Sequence, residues 1–167
     1  CDDWVRATSA LLDRFRVVQP FSSAIFMGPD ETPDKAGRFQ AMPGFAKFYW
    51  HDYNHRSMVS APLTRAHPGY AWAARMDVLE AAGGLFDKCI AGHADLAIAV
   101  AFTHDPDHQG PIEPDRAWGW DPGWSQSLKQ AVREYQDLMA SVVVGSMGFV
   151  QGNVYHMWHG SKKNRNW

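Results

Sequence analysis

Two histidines near the end of the chain, His156 and His159, are the residues whose spacing most plainly suggests chemistry. They follow a run of β-branched and aromatic residues that favours a strand. Imidazole nitrogens suit a borderline divalent metal ion. A basic cluster of the kind that binds phosphate follows at once and consists of Lys162, Lys163 and Arg165. The pattern predicts a site for a metal ion and a diphosphate.

The spacing of the two histidines limits how they act together. Side chains three residues apart on a regular strand point to opposite faces. Both rings reach one ion only if the backbone turns after Tyr155, which Gly160 permits. We expect His159 to be a ligand, and His156 to be either a ligand or a supporting residue. The basic cluster is compatible with a solvated tail and with a flap over the diphosphate.

A carboxylate is the second candidate. Asp95 ends the short stretch Gly92-His93-Ala94-Asp95, which predicts a glycine-led turn at the start of a helix. An aspartate in the first turn commonly binds backbone N–H groups or favours the helix dipole. The same carboxylate could serve as a general base. The spacing alone leaves both roles open.

The third candidate is the stretch that begins at His67 and continues Pro-Gly-Tyr-Ala-Trp. Gly69 allows the backbone to approach a ligand closely, and Tyr70 and Trp72 offer ring faces to a sugar. The alternative interpretation is a tight turn whose aromatic residues belong to the core.

Composition narrows the class of protein. A length of 167 residues with 46% apolar content predicts one domain with a core of its own. The net charge of −2 gives no basic field for nucleic acid, and no apolar run is as long as a membrane helix. Cys1 and Cys89 do not form a disulfide framework, so we expect a reducing, cytoplasmic location.

Hydrophobic periodicity predicts helices over residues 3–15, 76–82, 93–102 and 124–142, with a short aromatic helix over 45–52. The apolar face of the first helix is predicted to be Trp4, Val5, Leu11, Leu12 and Phe15. Extended runs are predicted over 16–21, 23–27 and 148–158, and a turn feeding a strand over 67–75. Residues 28–44, 53–64 and 104–123 are predicted to be loops. This alternation predicts an α/β domain with a mixed sheet.

Three segments in this order, residues 67–87, 91–96 and 148–160, resemble the acceptor-side half of a GT-A glycosyltransferase. These segments are similar to bacterial and phage family-two-like enzymes and to galactosyltransferase-related ones. Residues 3–21 resemble the helix and strand that follow the Asp-x-Asp metal motif of those enzymes. The resemblance implies a partial GT-A fold, truncated at both ends, in which residues 1–167 form a single-domain fragment. The nucleotide-binding half would then lie upstream, and the isolated fragment would be inactive.

The resemblance also implies roles for particular residues. In β-1,4-galactosyltransferases a methionine and a histidine three residues apart help to hold manganese; His156 takes the first position here and His159 the second. We therefore expect Mn²⁺, or Mg²⁺, as the cofactor. Asp95 corresponds to the catalytic base, although the family's usual Glu-Asp pair is Ala94-Asp95 in this chain. Residues implied to bind substrate are Gly69, Tyr70, Trp72, Gly92, His93, Lys162, Lys163 and Arg165.

The expected activity is a metal-dependent, inverting transfer of a hexose from a nucleoside-diphosphate sugar, most simply a UDP-sugar, to a saccharide acceptor. Such an enzyme would serve polysaccharide synthesis in a bacterium or phage. One rival is a zinc hydrolase that uses the same histidines, with His93 or His104 as the third ligand. Another is a non-catalytic carbohydrate-binding domain in which the aromatic residues contact the sugar.

Overall fold

A computed structural model describes residues 3–34, 40–48, 66–89, 94–103, 124–143 and 146–160. The helices are α1 (Trp4–Leu12), α2 (Met76–Ala81), α3 (Ala94–Ala101) and α4 (Gln126–Val143). The strands are β1 (Val17–Gln19), β2 (Ser23–Phe26), β3 (Ala41–Pro43), β4 (Ala73–Ala74), β5 (Met147–Phe149) and β6 (Asn153–His156). The predicted α/β class is confirmed.

The strands form two small mixed sheets, with the orders β4-β1-β5 and β3-β2-β6. In each sheet the middle strand is antiparallel to the first neighbour and parallel to the second. The sheets meet where β1 runs into β2 and β5 runs into β6. There the buried Ser22 hydroxyl donates to the Gly152 carbonyl at 3.0 Å and accepts from the Gly152 N–H at 3.1 Å. The Gly152 carbonyl also accepts from the Ser22 and Ser23 N–H groups, at 2.9 Å and 3.2 Å, so backbone and side-chain hydrogen bonds together hold the bend.

This bend explains where the predicted strands were wrong. The run predicted over 148–158 is two strands, β5 and β6, because the backbone turns at residues 150–152. The interruption predicted at Pro20 is present between β1 and β2. The predicted loop over 28–44 contains β3, which pairs with β2. The predicted loops over 53–64 and 104–123 lie outside the described residues.

Helices cover both faces of the β4-β1-β5 sheet. Val17 and Met147 are paired across β1 and β5 and belong to the same core cluster as residues of α3 and α4. Because side chains alternate along a strand, Val18 and Gly148 face the opposite side, toward α1. The Phe15 ring lies directly on Gly148: a Cβ built there would be 2.5 Å from its Cδ2 atom. The glycine thus allows α1 and its following turn to approach the sheet closely.

The first helix forms as predicted, and Leu11, Leu12 and Phe15 of its predicted apolar face are half-buried, but the first two residues of that face are not buried. The Asp3 carboxylate accepts from the Arg6 N–H at 3.3 Å and caps the helix. Trp4 and Val5 are 53% and 60% exposed, whereas Thr8 is buried. The prediction that the two apolar residues face the core was wrong, because the face centred on Thr8 packs against the sheet.

The remaining helices carry the core. The predicted α2 ends where expected, with Gly83 and Gly84 at positive φ values of 68° and 106°. The predicted burial of α3 is confirmed, since Ala97, Ala99, Val100 and Ala101 are all buried. The face predicted for α4 is confirmed as well, with buried Val132, Tyr135 and Met139. Among the described residues, no helix combines the length and apolar character that crossing a membrane requires.

A buried side-chain amide at the end of β1 forms hydrogen bonds with two later segments of the chain. Gln19 is fully buried. Its Nε2 atom donates to the His67 carbonyl at 3.1 Å, and its Oε1 atom accepts from the Ala46 N–H at 3.0 Å. The His67 carbonyl also accepts from the Phe45 N–H at 3.1 Å, and the His67 N–H donates to the Pro43 carbonyl at 2.8 Å. The backbone of His67 is therefore fixed on both sides.

Replacing Gln19 with methionine should destabilise the fold. The side chain keeps its approximate volume but leaves the Ala46 N–H without its side-chain acceptor and removes one donor from the His67 carbonyl. We expect a loss of about 2–4 kcal/mol in the free energy of unfolding, measured by urea denaturation. The matched control is Gln130→Met, because Gln130 is exposed on α4 and pairs with Glu134 at 2.9 Å. The control should change stability by less than about 0.5 kcal/mol; equal losses would contradict the role of the buried amide.

Candidate functional site

Asp95 lies in the first turn of α3, and its two carboxylate oxygens have different surroundings. The Oδ1 atom accepts from the Leu96 N–H at 2.9 Å. The Oδ2 atom faces the turn at residues 67–70, where a Cβ built on Gly69 would lie 2.5 Å from it. The structural role that the sequence allowed for Asp95 is thus met by one oxygen. The second oxygen remains directed at Gly69, a residue whose lack of a side chain makes this approach possible.

The turn that faces Asp95 is held by hydrogen bonds, and one of its residues has an unusual backbone conformation. The Trp72 indole N–H donates to the Pro68 carbonyl at 2.7 Å, and the Gly69 N–H donates to His67 Nδ1 at 3.2 Å. Tyr70 adopts a φ of 74°, which a bulky residue rarely tolerates. Backbone strain of this kind is found preferentially at functional sites.

Five rings gather beside this turn, and we call them the ring cluster: Phe26, His67, Tyr70, His156 and His159. The rings of His67 and Tyr70 are stacked, with centroids 3.9 Å apart and planes at 10°. Tyr70 lies 5.2 Å from His156, and His156 lies 5.6 Å from Phe26. The ring cluster brings the end of β6 to the same place as the 67–70 turn and Asp95.

The two histidines near the end of the chain lie edge to face against each other. β6 ends at His156, and the chain turns so that the ring centroids of His156 and His159 are 4.7 Å apart. His159 Nδ1 donates to the Met157 carbonyl at 3.1 Å, which leaves Nε2 as the nitrogen able to bind an ion. Among the described residues no group of three or more His, Cys, Asp or Glu side chains could hold a metal ion. Further ligands would have to come from other residues or from a bound diphosphate.

Burial and neighbouring charge shift the pKa values of His67, Tyr70 and the nearby Cys89. Burial lowers the pKa of His67; the Asp95 carboxylate opposes this shift, and His156 adds to it. Burial raises the pKa of Tyr70 to about 12, so its hydroxyl stays protonated at neutral pH. Burial and the charge of Asp95 both raise the pKa of Cys89. The thiol is therefore protonated and is a poor nucleophile.

Trp72 occupies a different position from the other predicted site residues. Its ring packs edge-to-face against Phe45 and Phe102, at centroid distances of 6.3 Å and 5.0 Å. Its indole N–H is already used within the turn. This placement corresponds to the alternative interpretation, in which the aromatic residue belongs to the core. Its contribution to the site is to hold the turn.

Of the predicted site residues, Gly69, Tyr70, Asp95, His156 and His159 lie together. Gly92, His93, Lys162, Lys163 and Arg165 lie outside the described residues, as does His104 of the zinc-hydrolase alternative. Sequence reasoning missed His67 and Phe26 as members of the site. The stretch headed by His67 was recognised, but only the long-range pairing of β2 with β6 and the Gln19 hydrogen bonds place its first residue at the centre.

Comparisons with known proteins add no assignment: no family model, no curated protein and no solved structure matches this chain.

The lowered pKa of His67 predicts a loss of stability in acid. Its folded-state pKa lies below the ordinary value of 6.5, so the unfolded chain takes up the proton first as the pH falls. The free energy of unfolding should decrease from pH 6.5 downward, until the folded-state pKa is passed. Urea denaturation at pH 7.5 and 5.5 should show a smaller decrease for His67→Gln than for the wild type. An identical decrease would contradict the burial of a neutral imidazole.

The pKa of His67 also provides a measure of the charge on Asp95. Because the carboxylate raises the pKa of His67, Asp95→Asn should lower that pKa further. The measurement is an NMR titration of the His67 ring in both proteins. The control is Asp87→Asn, which removes an exposed carboxylate paired with Lys88 at 3.2 Å and should leave the titration unchanged. A His67 pKa that is unchanged or higher in Asp95→Asn would contradict the stabilisation of the charged ring by the carboxylate.

Proposed function

We propose that this chain is the acceptor-side half of a metal-dependent, inverting GT-A glycosyltransferase, which moves a hexose from a nucleoside-diphosphate sugar, most simply a UDP-sugar, to a saccharide. The observation that carries the proposal is the meeting of Asp95 with Gly69 beside the ring cluster that contains His156 and His159. These residues come from three distant segments of the chain. They are the same three segments that resemble the transferase family.

The carboxylate supplies the proton acceptor that an inverting transfer needs. An acceptor hydroxyl attacks the anomeric carbon and forms a new C–O bond, while its proton passes to Asp95 Oδ2. The bond between the anomeric carbon and the diphosphate oxygen breaks, and its electron pair leaves with the diphosphate. Asp95 is suited to this task because Oδ1 is anchored by the Leu96 N–H and Oδ2 faces the turn.

The departing diphosphate needs positive charge rather than a second acid. His159, through Nε2, and His156 are the residues that would hold a divalent cation. A bound Mn²⁺ or Mg²⁺ would stabilise the negative charge that develops on the leaving group. Lys162, Lys163 and Arg165 follow in the sequence and would add to that charge stabilisation.

A sugar ring is expected to lie against Tyr70. This side chain is 41% exposed, and its ring is held by the stack with His67. Aromatic faces pack well against the C–H groups of a sugar, and a ring fixed in advance loses little entropy on binding. Gly69 keeps the backbone open between Tyr70 and Asp95.

The central test is Asp95→Asn in the natural gene product that contains this segment. Amide substitution keeps the shape but removes the base, so transfer should fall at least about a hundredfold. Binding of UDP and Mn²⁺ should stay within about twofold. Transfer is measured as UDP release from UDP-hexoses with a saccharide acceptor, and binding by calorimetry.

Asp87→Asn, an exposed carboxylate on the surface, is the matched control and should transfer at the wild-type rate. Equal loss of transfer and of nucleotide binding in Asp95→Asn would contradict its role as base. Saccharide binding without any UDP release, unaffected by chelation, would favour the carbohydrate-binding alternative.

Removal of the metal gives an independent test. Chelation with EDTA should abolish transfer, and Mn²⁺ should restore it. His159→Ala should raise the Mn²⁺ concentration needed for half-maximal transfer by about tenfold or more, because an imidazole ligand is lost. Mn²⁺ binding can be followed separately by electron paramagnetic resonance. Full activity in EDTA would exclude the proposed role of His159.

A further inference from the structure

The orientation of the His67 side chain is fixed more firmly than a surface histidine requires. Its backbone is held by Gln19, Phe45 and Pro43. Its ring is stacked on Tyr70 at 3.9 Å, and the Phe26 ring lies 5.9 Å from it. An imidazole held by backbone and ring contacts together presents its nitrogen atoms in set directions.

The two ring nitrogens of His67 have different hydrogen-bonding roles. Nδ1 accepts from the Gly69 N–H at 3.2 Å. In the neutral ring the proton is therefore on Nε2, which is a hydrogen-bond donor. Burial favours this neutral form by lowering the pKa of His67. Nε2 has no hydrogen-bond partner among the residues that the structure describes.

An acceptor oxygen lies on the same side of Gly69 as the His67 ring. A Cβ built on this residue would be 2.5 Å from Asp95 Oδ2 and 3.4 Å from His67 Cε1, so these two atoms are at most about 6 Å apart. Cε1 is bonded to Nε2, so the ceiling for Nε2 is longer by at most one bond length. A hydroxyl both donates and accepts, and hydrogen bonds of about 2.7–3.0 Å let one hydroxyl oxygen join a donor and an acceptor about 4–6 Å apart.

We propose that His67 is a second hydroxyl-binding residue, whose Nε2–H donates to the same saccharide hydroxyl whose proton points to Asp95 Oδ2. The identity of that hydroxyl as the attacking group rests on the proposed transferase function. His67 keeps its Nε2 proton throughout the reaction. The hydrogen bond from Nε2–H uses one lone pair of the hydroxyl oxygen, and the other lone pair is directed at the anomeric carbon. The ligand class is a pyranoside with a free hydroxyl, and His67 contributes orientation rather than proton transfer.

The experiment compares His67→Phe with His67→Gln in the natural gene product, with UDP and Mn²⁺ present. Phenylalanine keeps the stacked ring but lacks the donor, whereas glutamine carries an N–H near the position of Nε2. The probes are the methyl glycosides of glucose, galactose and mannose. Their dissociation constants are measured by calorimetry, and the His67 ring nitrogens are followed by NMR in the wild type.

We expect saturation with the best-bound glycoside to shift the Nε2 resonance more than the Nδ1 resonance. His67→Phe should raise the dissociation constant about fivefold to tenfold, and His67→Gln should recover most of the affinity. An Nε2 resonance that saturating glycoside leaves in place would overturn the inference. So would equal affinity of His67→Phe and the wild type, or equal weakening in both variants, which would indicate a structural role only.

The two proposals fail in different ways. Absence of UDP release by the wild type from every UDP-hexose would overturn the transferase, whereas glycosides that still shift Nε2 would support hydroxyl binding by His67. Conversely, normal transfer by His67→Phe would leave the transferase in place and overturn the role of His67.

Discussion

The hydrogen bonds of the buried Gln19 amide are the constraint on which the candidate site depends. This side chain extends from the end of β1 and joins the His67 carbonyl to the Ala46 N–H. A buried amide is costly unless both its ends are paired, so the two segments cannot shift without exposing unpaired polar groups in the interior. The result is that a turn with no regular structure of its own is joined to the sheet by buried hydrogen bonds. Tyr70, with its positive φ, and the ring of His67 belong to this turn and are stacked on each other.

The site lies where elements from distant parts of the sequence converge. Asp95 is carried by α3, which is anchored in the core by its buried residues Ala97, Ala99, Val100 and Ala101. His156 ends β6, which is aligned by its parallel pairing with β2. The 67–70 turn lies between them, so that Tyr70 approaches His156 and Gly69 faces Asp95. A carboxylate, a ring face and two imidazoles are therefore placed next to one another by the fold itself, and the proposed transfer would use that arrangement to lower its entropic cost.

Sequence patterns were most informative where hydrophobic periodicity alone decides which residues are buried. The long periodic segment that became α4 buries Val132, Tyr135 and Met139, as its spacing predicted. The first helix shows where the pattern misled: Trp4 and Val5 are apolar but exposed, because a single helical turn cannot tell which side the sheet occupies. The bend at Ser22 and Gly152 was equally hidden, since it depends on residues about 130 positions apart. Long-range pairing of this kind leaves no local signature.

The sequence by itself determined the α/β class, the positions of the main helices and the residue types from which a site could be made. An aspartate at a helix start and two histidines after a strand are local features that periodicity and spacing can identify. Only the tertiary structure decided that these groups share one place, that Trp72 belongs to the core, and that His67 stacks on Tyr70 within the electrostatic reach of Asp95. The reason is physical: distances across a fold are set by strand register and buried hydrogen bonds between remote residues, and neither is encoded in any single segment.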